Sequence, residues 1–187
     1  MKAFRMTIGA CAIGLMCAAL AWAAPTATSA DLKAGKLEAS EPAKEGTSMT
    51  NVAATSHATG PFEVKLQPAG EVDKGDGSSL GRMTIDKQFH GDIEATSKGQ
   101  MLTAMTETKG SAGYVAIERV TGTLGGKKGS FVLQHNATMT RGTPNLNIIV
   151  VPDSGTGELV GLTGTMKINV DGGKHSYEFE YTLPARP

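Results

Sequence analysis

The chain has 187 residues, with 18 Lys and Arg against 18 Asp and Glu, two Cys and one Trp. A formal charge of zero supplies no basic surface for nucleic acid or for an anionic membrane. Both Cys and the Trp lie in the first 23 residues. A chain without that segment has no disulfide, thiolate metal site, Cys-linked haem or Cys nucleophile.

The first element is a secretory signal. Lys2 and Arg5 precede an uncharged apolar stretch over 6–21, and Ala21-Trp22-Ala23 gives the small-x-small pattern of a cleavage site. The stretch is short for a membrane-spanning helix, which needs about 20 apolar residues. Cys17 follows the bulky Met16, which disfavours a lipid anchor. The expectation is a signal peptide over 1–23, cleaved near Ala23, and an exported protein, periplasmic or secreted, with no membrane attachment. The remaining 164 residues carry 16 basic and 18 acidic side chains. Residues 24–54 follow, rich in Ala, Thr, Ser, Lys, Glu and Pro, with Leu32, Leu37, Met49 and Val52 the few large apolar residues. That composition buries too little apolar surface to offset ordering entropy, so a flexible tether is expected.

Residues 55–187 form the expected domain. Phe62, Val64 and Leu66 alternate with Glu63, Lys65 and Gln67, and Met83, Ile85 and Phe89 continue the theme across Lys87. Further strands are predicted over 100–108, 112–124, 129–139, 145–152 and 162–171. The clearest strand is a further one over 175–183, where Tyr177, Phe179, Tyr181 and Leu183 alternate with Ser176, Glu178, Glu180 and Thr182. Gly-rich turns such as Gly125-Gly126 and Asp171-Gly172-Gly173 separate the strands, and no stretch keeps a 3.6 period. The fold class is therefore all-β, and a meander of this length favours a single closed antiparallel up-and-down barrel of about eight strands, since closure removes exposed edges. The pattern T-G-x-L-x-G-x-x-G occurs at 121–129 and again at 156–164. It predicts two similar strand-turn-strand arches.

Several blocks carry a family likeness. They are His57-Ala58-Thr59-Gly60 with Phe62-Glu63-Val64, Phe89-His90-Gly91-Asp92-Ile93-Glu94, and two long runs over 113–135 and 151–164. Across about 55–183 the chain resembles domain-of-unknown-function family 3224, a family of small bacterial proteins. That family is similar to the allene oxide cyclase-like barrels, a fold also used by plant dirigent proteins. The resemblance implies this barrel and no established function.

The chemical motifs are sparse. Gly155-Thr156-Gly157 and Lys127-Lys128-Gly129-Ser130 lack the spacing of nucleotide-binding loops and read as turns. His57, His90, His135 and His175 show no i, i+2 or i, i+4 pairing, so no metal and no cofactor is expected. Glu118 shares a strand face with Tyr114, Ala116 and Val120, and His135 shares one with Phe131 and Leu133. Both could point into the barrel, where burial would raise the Glu pKa and lower that of the His, as acid/base work requires. The competing readings are a purely structural Glu–His hydrogen bond, or a Glu118 outside the barrel beside Arg119. Tyr114, Phe131, Tyr177, Phe179 and Tyr181 are either ordinary core or an aromatic wall for an apolar ligand. The leading expectation is a barrel that binds a small apolar ligand. A cyclase- or isomerase-like enzyme using Glu118 and His135, and a structural or interaction module, are the alternatives. Similar barrels often associate, so a homo-oligomer is a further expectation.

Overall fold

The structure is a computed structural model that describes residues 54–185. The expected signal peptide, and the expected tether up to residue 53, lie outside the described residues. The strands are β1 (Thr55–Pro68), β2 (Asp73–Gly75), β3 (Ser78–Phe89), β4 (Ile93–Thr106), β5 (Ala112–Leu124), β6 (Lys127–Thr140), β7 (Thr143–Val150), β8 (Thr163–Asp171) and β9 (Lys174–Thr182). The one helical element among them is a 3-10 turn over Gly157–Leu159.

Neighbouring strands pair antiparallel in the order β1-β9-β8-β7-β6-β5-β4-β3-β2, and β1 also pairs with β3. That last pairing closes an eight-stranded barrel and leaves β2 as an extra strand on β3. β1 divides its length between two partners. Residues 55–62 pair with β9, from Thr55 on Thr182 to Phe62 on His175, and 62–68 pair with β3. Phe62 is the hinge of this division, paired to both His175 and Phe89. Two-residue turns join several strands. In the β5–β6 turn, Gly125 and Gly126 have φ of 55° and 79°, a left-handed geometry that matches the twist of a tight hairpin and is open to glycine.

The period-two pattern sorts the side chains. On β5, Ala116, Glu118 and Val120 are buried while Val115, Ile117 and Arg119 are exposed. On β6, Phe131, Leu133, His135 and Ala137 are buried, with Gln134 and Asn136 outside. This excludes the placement of Glu118 on the outer surface.

The two ends of the barrel differ. At the end where β1, β4, β6 and β8 begin, Ile93, Leu124, Phe131 and Phe179 join Leu159 and Leu162 from the β7–β8 connection, all at most 1 % exposed. We call this the sealed end. At the other end the inward-facing Leu66, Met83, Tyr114, Met139 and Val170 are only half-buried, and we call it the open end.

Three sequence expectations require correction. β2 was not anticipated, because three exposed residues carry no pattern. β4 begins at Ile93 rather than near 100. The two T-G-x-L copies are not similar arches. The first is the β5–β6 hairpin, and the second is the β7–β8 connection containing the 3-10 turn. The second folds back onto the first: Thr156 N–H donates to the Ser130 carbonyl at 2.8 Å, and Lys128 N–H donates to Glu158 Oε2 at 2.7 Å. A Cβ on Gly129 would run into the Thr156 carbonyl, so this approach requires glycine.

Candidate functional site

Four adjacent strands each place one polar side chain inside the barrel. They are Lys87 on β3, Ser97 on β4, Glu118 on β5 and His135 on β6. Each occupies an inward position of the alternation, so the backbone periodicity alone directs them together. Lys87 pairs in register with Ser97, and Glu118 with Gly99. Gly99 gives the carboxylate its room: a Cβ there would lie 2.6 Å from the Cβ of Glu118.

Glu118 is the hub. Its side chain is wholly buried, and those of Lys87 and His135 are 5 % and 3 % exposed. Oε1 accepts hydrogen bonds from Lys87 Nζ at 2.8 Å and His135 Nε2 at 3.1 Å, and Oε2 accepts one from Ser97 Oγ at 3.1 Å. An ionised carboxylate only accepts, so the His135 hydrogen sits on Nε2. Lys87 Nζ also lies 5.2 Å from the Phe62 ring centroid and 5.6 Å from that of Phe89, within cation–π range.

Burial by itself pushes the Glu118 pKa up. The Lys87 charge, with the hydrogen bond and charge of His135 and the Lys87 hydrogen bond, outweighs it and brings the pKa down to about 2. The sequence expectation of a raised Glu pKa is thereby overturned. It failed because Lys87 read as an interruption of the β3 pattern, although its position between Ile85 and Phe89 marks it as inward-facing. That alternation was the available signal for Lys87, and Ser97 had a similar one between Ala95 and Gly99.

Chemically, a carboxylate held ionised by three donors has no proton to give at neutral pH. It fixes the orientation of Lys87 and His135 and keeps their positive charge or polarity inside an apolar wall. Breaking such a pair is costly because it strands a buried charge.

The predicted aromatic residues divide between the two ends. Phe131 and Phe179 stack at 5.8 Å with 4° between planes, and Tyr181 stacks on Phe179 at 5.2 Å, all at the sealed end. Tyr177 is buried with them and laces β9 to the β3–β4 turn. Its hydroxyl accepts from Ile93 N–H at 2.8 Å and donates to the His90 carbonyl at 3.1 Å. Burial pushes its pKa up to about 12. Tyr114 stands apart at the open end, packed with Val64, Leu66 and Met83 around Ile85, Met101 and Ala116.

The other histidines do not join the cluster through hydrogen bonds. His57 is exposed, 3.9 Å from Glu180, and His90 is 3.2 Å from Glu63 and 3.6 Å from Glu94. Among the described residues no group of three His, Cys, Asp or Glu side chains is placed to hold a metal ion. A depression of about 290 Å³ opens at the rim of the open end, lined by Lys74, Ser79, Met105 and Glu107 among others. A smaller, more enclosed one of about 150 Å³ lies by His57, Thr165 and Lys167.

Fold and site together define a class: a closed eight-stranded antiparallel barrel, with one added strand and an ionic cluster buried in its interior. The family profile described as "Protein of unknown function (DUF3224)" matches residues 58–181, and the chain belongs to that family. A crystal structure of a DUF3224 protein of unknown function from Shewanella oneidensis MR-1 is similar to it at 52% identity, with a TM-score of 0.67. The alignment covers 71% of this chain and 100% of that one. No curated protein matches the chain.

Proposed function

We propose that this protein is an exported barrel that binds a small, mainly apolar molecule at its open end, above the Lys87–Glu118–His135 cluster. One observation carries the reading: a fully buried charged cluster shares the barrel interior with half-buried apolar side chains at the end that no connecting turn covers. A barrel needing nothing but stability does better with an apolar interior, since replacing buried ion pairs by packed apolar groups is often neutral or stabilising. Leu66, Met83 and Tyr114 would contact the ligand body, and the inward-facing methionines offer an adaptable surface. Phe131, Tyr177, Phe179 and Tyr181 would then serve as core. The export half of the reading is supported by the charged, apolar and small-residue pattern of 1–23.

A catalytic role for Glu118 and His135 has less support. A general acid or base works best with a pKa near the operating pH, and Glu118 lies far below it.

The test is native mass spectrometry of the full-length gene product recovered from the exported fraction of its own host. A retained small molecule on a chain beginning at Ala24 is the expected result. If the recovered protein is ligand-free and takes up no member of an apolar small-molecule library, the binding reading is wrong. A chain that still begins at Met1 removes the export half.

A further inference from the structure

Among the described residues, one buried side-chain polar atom is left without a hydrogen-bond partner, His175 Nε2. His175 opens β9, pairs in register with Phe62 of β1, and packs its ring on that of Phe62 at 5.2 Å. The Lys87 ammonium also lies 5.2 Å from the Phe62 centroid. Both nitrogen-bearing side chains therefore lie against one aromatic ring, and His175 stands at the end of its strand that belongs to the open end.

Hydrogen-bonding capacity inside the barrel is unbalanced. Glu118 is the buried acid among the described residues, and its two oxygens already take three donors. Lys87 carries three N–H groups and spends one on Glu118, its remaining neighbours being the faces of Phe62 and Phe89. His175 Nε2 can carry a hydrogen as one neutral tautomer or as imidazolium. Donors are in surplus: Lys87 and His175 together keep more N–H groups than the roughly one acceptor site left on Glu118. A cationic head would meet Lys87 and find no vacant carboxylate. A head bearing oxygen acceptors would satisfy both Lys87 and His175, and charge-assisted bonds of that kind are the strong ones.

We propose that His175 is a ligand-binding residue, and that the ligand is a monocarboxylate with an apolar body whose carboxylate is received by His175 Nε2 and Lys87 Nζ. This rests on the open-end binding reading above. The rim of Leu66, Met83 and Tyr114 takes the apolar body, and the Phe62 ring packs against both donors.

The experiment uses the full chain with octanoate, octan-1-ol and octylamine as probes, titrated by calorimetry and followed by imidazole ¹⁵N spectra. Octanoate is expected to bind more tightly than octan-1-ol, octylamine not at all, and the His175 Nε2 resonance to move with octanoate. His175→Phe keeps a ring against Phe62 and removes the nitrogen. It is expected to weaken octanoate about tenfold, the scale of one hydrogen bond to a charged group, and to leave octan-1-ol unchanged. If octan-1-ol and octanoate both bind and His175→Phe weakens neither, or if the wild-type His175 resonance stays still with octanoate, the His175 assignment falls and the binding reading stands. If no probe binds the wild type, the binding reading itself falls and this inference with it.

Discussion

The two ends of the barrel are built from the same strands by the same alternation, and they end differently. At the sealed end the β7–β8 connection folds a 3-10 turn across the opening. Leu159 and Leu162 fill it, and Ser130, Thr156 and Glu158 latch the turn to the β5–β6 hairpin. At the open end the strands run on into hairpins without such a cover, and Leu66, Met83 and Tyr114 stay half-exposed. Strand patterning decides which side chains point inward. Whether they are buried depends on what the connecting loops do.

Mutations can break or sharpen this contrast. The largest effect is expected from truncation at the sealed end. Phe179→Ala removes a ring stacked between Phe131 and Tyr181 and should cost about 3–5 kcal/mol in urea unfolding. Leu66→Ala at the open end should cost less, about 1 kcal/mol, because the side chain is only partly buried. Equal losses at the two ends would remove the distinction. Glu118→Ala strands Lys87 without its carboxylate and is expected to cost about 3–5 kcal/mol, whereas the double variant Lys87→Met with Glu118→Leu should recover much of it.

Smaller and pH-dependent effects follow from the two displaced pKa values. Glu118 sits at about 2 in the folded protein against a usual 4.5. Its contribution to stability is therefore complete above about 4.5 and is lost as the pH falls toward 2. Glu118→Gln should flatten that acid limb in a series of denaturant midpoints. Tyr177 is raised from 10 to about 12, so its contribution is complete below 10 and declines as the pH rises from 10 to 12. Tyr177→Phe should remove that alkaline limb. At neutral pH it should cost roughly 1–3 kcal/mol, because the Ile93 N–H loses its acceptor. The smallest effect is expected outside: Ile117→Thr, on an exposed position of β5, should stay within about 0.5 kcal/mol.

The strand pattern was readable wherever large apolar residues alternate with polar ones. The predicted 112–124 is β5 itself, and 129–139, 145–152 and 162–171 fall on β6, β7 and β8. The reading weakened where inward positions are small. The first half of β4 points Ala95, Ser97 and Gly99 inward, small residues of which Gly99 leaves the room that Glu118 needs. The start of β1 has Gly60 at such a position, where a Cβ would strike the His90 carbonyl and approach the Tyr177 hydroxyl at 2.8 Å. Those constraints come from distant segments and leave no local periodicity. The Glu118–His135 pairing was legible from strand faces, while its protonation state was not. That state depends on Lys87, a charged residue in an apolar row. His175 shares a face with Tyr177 and Phe179, and its unsatisfied nitrogen is a property of the assembled interior alone.

Closure through β1 sets the order in which this domain can fold. Thr55 pairs with Thr182, so the first strand of the barrel is held by the last. A chain with such distant pairings must meet the loop-closure entropy before the contacts reward it, which places folding in the slower millisecond-to-second range of small domains. Until β9 is in place, β1 and the growing sheet present unpaired edges that other chains can extend. The period of greatest risk from aggregation is therefore the interval before the ring closes, and its length is set by the last strand to arrive.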